Sequence, residues 1–167
     1  MTFYELLVVM HVVGTVLGAG AATFAHVFHE RFSADGVVSD DERKTLVVTY
    51  SILRIGLSLL VISGFAFLLD FRLHERVGIF TSPSFWAKMT VVGVLLSNAI
   101  LLQARLIPLA VGATVSLTSW YTALVLGVIG KTTFGYMEIL LYYVTATVIV
   151  GIALRWWHNR STPHQNI

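Results

Sequence analysis

Among the ionisable side chains that interrupt otherwise apolar stretches of this sequence, His11, Arg54, Lys88 and Glu138 fall deepest along their runs, with Glu5, His26, His29 and Asp70 nearer the ends. His11 lies in the run Phe3–His29, and Gly14, Gly18 and Ala22 follow it at offsets of three, four and four residues. On a helix those offsets stack the residues on one face. A small-xxx-small strip of this kind lets another backbone or a flat ring approach closely. An ionisable group inside an apolar segment is costly and marks a functional candidate. An imidazole at the head of such a strip suits haem: His11 would supply the axial bond to the iron, and the porphyrin would lie along Gly14 and Gly18. Arg54 or Lys88 would neutralise the propionates, and Met89 stands at a depth compatible with a sixth ligand. A quinone site or a proton path would draw on the same residues.

Other arrangements are weaker. A dihaem scheme needs four buried histidines, but beyond His26 and His29 the remaining His74, His158 and His164 fall in loops or the tail. Three protein ligands for a bare metal ion cannot be assembled at one depth. Lys88 and Glu138 fall at similar depth and are the candidate catalytic pair, with Tyr142 and Thr145 on the Glu138 face extending a network; the competing expectation is that both snorkel to the interface. Arg54 shares a face with Tyr50, Ser51 and Ser58 and is expected to aim at Ser116 and Thr118.

The elements that must carry these residues follow from the apolar runs. Five stretches, roughly 3–29, 45–70, 84–106, 108–130 and 134–157, are long enough to cross a hydrocarbon core about 30 Å thick. The expected fold is therefore all-α: an integral membrane bundle of five transmembrane helices, one domain over 1–160 with a short cytoplasmic tail at 161–167. Ser39 with Glu42 reads as a capping box opening the second span, and Ser82-Pro83 as an N-cap with a first-turn proline opening the third. The tight connection at Arg105 and Pro108 makes spans three and four antiparallel neighbours. The loop Arg31–Glu42 superficially follows a calcium-loop spacing, but Arg31 occupies the first ligand position and argues for a turn plus capping box instead.

Composition agrees. Of 167 residues 56% are hydrophobic and only 12% charged, with a mean hydropathy of +0.80, well below the charge content of a soluble domain. A net charge of +2 without a basic stripe excludes a nucleic-acid binder. The absence of cysteine excludes disulfides, iron–sulfur clusters and thiolate zinc sites. Phe3–His29 lacks a basic leader and cleavage site and reads as a retained span. Arg31, Arg43, Lys44, Arg105, Arg155 and Arg160 outnumber Arg72, Arg76 and Lys131 on the opposite side, which puts the N-terminus out and the C-terminus in. The expected location is the inner (plasma) membrane, multi-pass, with the lipid bilayer as first partner.

His11 with Gly14 and Gly18, then Phe85-Trp86-Ala87-Lys88 opening the third span, resembles the HemJ-type protoporphyrinogen oxidases. That resemblance covers spans one to three and implies a haem b protein with a redox role, His11 as haem ligand and Lys88 as a substrate or propionate partner. The chain departs from the family at Ala22-Thr23-Phe24-Ala25-His26, where a Pro-Arg-Leu-type segment precedes a second histidine, near Ala99, where a later histidine would fall, and in having five spans in place of four. It is also similar to an uncharacterised group of five-span bacterial proteins with a His-x-x-Gly first span and a Lys-Met pair, here Lys88-Met89. The alternative expectation is a non-enzymatic transporter, channel or accessory subunit with buried polar pairs. The first helix's small residues also permit a homodimer.

Overall fold

Residues 2–32, 39–75, 77–130 and 132–161 are described in the structure, a computed structural model. They form five helices: α1 (Phe3–Phe32), α2 (Asp40–Leu73), α3 (Pro83–Gln103), α4 (Leu109–Ile129) and α5 (Tyr136–Ser161), with a 3-10 turn at Val77–Thr81 before α3. No strand occurs among the described residues. All five helices are long and apolar enough to cross a membrane. Large apolar side chains cover their outer faces, among them Val12, Phe65, Val128 and Leu141, as a bundle in lipid requires, since hydrocarbon does not drive such groups inward.

Local chemistry sets the helix ends. At Ser39 both halves of the expected capping box form: Ser39 N–H donates to Glu42 Oε2 at 2.8 Å and Glu42 N–H donates to Ser39 Oγ at 3.4 Å. Together they satisfy two of the orphan donors at a helix start. Pro83 takes the first turn of α3, but the Ser82 side chain makes no cap bond. Arg105, in left-handed conformation at φ 56°, ends α3 at Gln103, three residues sooner than the apolar run suggested. α1 and α2 overrun their expected spans, to Phe32 and from Asp40, because their charged ends continue as helix outside the apolar zone. Residues 33–38 of the calcium-like loop, Arg76, Lys131 and the tail 162–167 lie outside the described residues.

α1 and α2 form an antiparallel pair. The facing stripes, Leu7, His11, Gly14, Gly18, Ala21 and Ala25 on α1 and Gly56, Leu60, Ser63, Phe67 and Asp70 on α2, repeat every three or four residues, the spacing of a helix–helix seam. α4 packs against α1, and Trp120, 1% exposed, joins Ala19, Ala22, Leu60 and Leu95 in the central core. α3 and α4 form the second hairpin, tied where Asn98 Nδ2 donates to the Gly112 carbonyl at 2.9 Å. α5 rests on α3 and α4 through Ala87, Leu126 and Ile139, with hydroxyl bonds Thr90–Tyr136 at 3.0 Å and Ser119–Tyr143 at 2.8 Å.

Candidate functional site

The α1–α2 register places His11 opposite Ser63, Gly14 opposite Leu60 and Gly18 opposite Gly56. A methyl added at Gly14 would lie 2.8 Å from Leu60 N and 2.9 Å from Gly56 O, and one at Gly18 would enter the Trp120 ring. The strip thus receives both a backbone and a flat ring, but they are α2 at Gly56 and the indole of Trp120. This corrects the expectation that Gly14 and Gly18 form a cofactor slot, because the protein fills that surface itself. Gly14, Gly18 and Ala22 are all buried within the chain.

His11 remains beside this packed seam. Its Nδ1 lies 2.9 Å from Ser63 Oγ, a group with no exposed surface. Ser63 has one hydroxyl hydrogen, which it donates to the Leu59 carbonyl at 2.6 Å, with Leu60 O at 3.1 Å. Toward His11 its oxygen can therefore only accept. In the neutral ring Nδ1 carries the hydrogen and Nε2 carries the lone pair. Phe67 meets the imidazole edge-on, centroids 5.6 Å apart, and fixes its plane from the next turn of α2. The Leu60 backbone also meets the imidazole; Nε2 itself makes no well-aligned hydrogen bond among the described residues, and no fully buried side-chain nitrogen or oxygen there lacks a partner. Nε2 is therefore reached from outside the packed core.

Lys88 stands in the second turn of α3. It lines a cleft of about 460 Å³ with Phe71, Ile79, Ser82, Ser84 and Phe85 at the end of the bundle where α1 begins. The ammonium is half-buried and makes no hydrogen bond or ion pair among the described residues. By the same reasoning as for Nε2, it is open to the cleft. An unneutralised cation among aromatic walls is costly, and an anion is its natural complement.

Glu138 does not supply that anion. It stands exposed at the third residue of α5, and its Oε2 accepts the Gly135 N–H at 2.8 Å. This is the carboxylate half of a capping box: the free backbone donor of Gly135, immediately ahead of the helix, competes successfully for the carboxylate. The expected Lys88–Glu138 pair is thus absent, and Tyr142 points away to meet Phe134 edge-on at 5.4 Å. Arg54 is likewise corrected. It is exposed on the outer face of α2, with no bond to Ser116 or Thr118, because α2 turns its seam to α1 and its back outward. Thr118 bonds its own helix, donating to Thr114 O at 2.6 Å. Met89 is half-buried and makes no polar contact with His11. His26 and His29 lie far along α1, in clefts at the opposite end of the bundle.

Among the described residues no hydrogen bond or ion pair joins His11, Lys88, Glu138 and Arg54 to one another: His11 sits in the α1–α2 seam and Lys88 in the cleft at the start of α3. Ser63, Phe67, Gly56 and Trp120 complete the centre and were not singled out from the sequence. Their signal was present for α2: Gly56, Ser63 and Phe67 recur at offsets of seven and four, one face of a helix. Among the described residues no cluster of three histidine or carboxylate side chains that could hold a bare metal ion occurs. Comparison with protein-family models, with curated proteins and with solved structures finds no match to this chain.

Proposed function

We propose that this protein is a multi-pass inner (plasma) membrane protein, N-terminus out and C-terminus in, that holds a b-type haem on His11 and has a redox role. The observation that carries the reading is the committed hydrogen of Ser63, which leaves the lone pair of His11 on Nε2 and that atom open. Metal-ligating histidines are held in this way, one ring nitrogen donating to a fixed acceptor while the other binds. The resemblance to HemJ-type oxidases points in the same direction. When bound, haem would supply one-electron chemistry. The chain's own residues would do the rest: Ser63 and Phe67 hold the imidazole, and Lys88 receives a carboxylate from the cofactor or from a substrate. Gly14 and Gly18 act one step back, by letting α2 approach close enough for Ser63 to reach His11. The test is a reduced-minus-oxidised spectrum of the protein purified after expression with haem supplied. A b-type signal near one haem per chain is expected, and a colourless protein overturns the reading.

A second reading rests on Arg54, an exposed cation within a spanning helix. Such a group marks a surface that meets an acidic neighbour, as in an accessory subunit. Under that reading Arg54→Leu impairs assembly with no spectral change, whereas under the haem reading His11→Ala abolishes the spectrum.

A further inference from the structure

The end of the bundle opposite the His11 centre holds a second, larger cleft, about 680 Å³, bounded by α1, α4 and α5. Most of its wall is aliphatic, with Val111, Val115, Val148 and Ile152 among the lining residues, and its polar groups are cationic or neutral: Thr114, Thr147, His26, His29 and Arg155, with no carboxylate among the described residues that line it. The cleft exists because α5 leaves the core: Ile139 and Tyr143 are buried, and no described residue of α5 beyond Tyr143 is. α5 touches α4 again only lightly, where a methyl at Gly151 would meet Thr114 Cγ2 at 3.4 Å. Arg155 is exposed and makes no ion pair among the described residues. Trp156 and Trp157 follow it, 54% and 63% exposed, the placement of an aromatic belt at the membrane surface. A permanent charge at headgroup level over an aliphatic cleft between helices has one natural occupant.

We infer that this cleft binds an anionic phospholipid, its phosphate held by Arg155 and the His29 ring and an acyl chain lying between α1, α4 and α5. The site is independent of the His11 centre, and a soluble phosphate would leave the aliphatic walls unused. Its volume falls in the range of small-molecule sites. The lipid would take the place on the lower half of α5 that the protein's own side chains leave open, fastening a helix otherwise held chiefly at its start.

The full chain, purified in an uncharged detergent, is titrated with phosphatidylglycerol, with phosphatidylcholine of the same acyl chains and with inorganic phosphate, and bound lipid is read by native mass spectrometry. Phosphatidylglycerol is expected to bind in preference, and Arg155→Gln to weaken it about fivefold, the effect of one basic residue at an anionic surface. Arg155→Lys should retain most of the preference. Arg160→Gln is the control, since Arg160 lies over the Trp156 ring at 3.8 Å and does not line the cleft. Equal binding of the two lipids, an unchanged Arg155→Gln, or displacement by phosphate alone would each overturn the assignment.

Discussion

Replacing Gly56 by alanine is the most discriminating test of the packing that holds His11 in place. A methyl at Gly56 would stand 2.6 Å from Gly18 N and 2.9 Å from both Gly14 O and Gly18 Cα, against an ordinary contact that begins at 3.4 Å. All three neighbours are backbone, so no side chain can turn aside, and α1 and α2 must part by about 0.8 Å. Overpacking of this kind costs about 1–3 kcal/mol, roughly a 5- to 150-fold fall in the folding equilibrium constant. Alanine also has the better helix propensity, by about 0.5–1 kcal/mol, which works in the opposite direction. Gly93→Ala measures that term alone, because a methyl there meets nothing within 4 Å. Unfolding in mixed micelles by added denaturing detergent, followed through tryptophan fluorescence, compares the two. Gly93→Ala should be neutral or slightly more stable, and Gly56→Ala clearly less stable. Equal stabilities would refute the close α1–α2 seam and with it the approach of Ser63 to His11.

Other expectations follow from the same geometry. Ser63→Ala removes the acceptor that orients His11 and should weaken haem retention about 10- to 100-fold, the usual effect of losing an outer partner of a metal-ligating histidine; unchanged retention by spectral titration would show that the bond does not orient the ligand. A double-mutant cycle of Lys88→Met with Glu138→Gln should give a coupling within about 0.5 kcal/mol of zero, since Glu138 serves the start of α5; a coupling well above that would mean that the two charges do meet. Trp120→Ala empties the centre of the core beside Gly18 and should cost about 3–5 kcal/mol, whereas Trp120→Phe should cost less in the same unfolding assay. Equal losses would mean that the indole does not fill the strip.

The five spans were legible because length and hydropathy alone decide which segments can cross hydrocarbon, and α1 to α5 fall where the apolar runs stand. Their ends were less legible: nothing in hydropathy shows that α1 continues as helix to Phe32 or that α2 starts at Asp40. His11 stood out because an imidazole among valines and leucines is rare. Ser63 did not, because a serine in a spanning helix ordinarily bonds only its own preceding turn, which it also does here. The small-residue strip was visible, but a strip specifies closeness and not the identity of what comes close, so Gly56 and Trp120 could be found only in three dimensions. Depth matching misled at Glu138. Two charges at one level need not share a direction, and the Gly135-x-x-Glu138 spacing offered the carboxylate a nearer backbone donor. Arg54 misled in the same way, since depth along α2 says nothing about which side of that helix faces α1.

The central claim is that His11 Nε2 is a ligand atom held ready by Ser63. Its most direct test is haem content of the purified His11→Ala protein beside wild type, His26→Ala and His29→Ala, each read by difference spectrum and by pyridine extraction, with imidazole then added to the His11→Ala sample. A b-type signal near one haem per chain is expected in the wild type, lost among these histidine variants only in His11→Ala and partly restored there by imidazole. Haem retained in His11→Ala, or lost equally in His26→Ala, would contradict it.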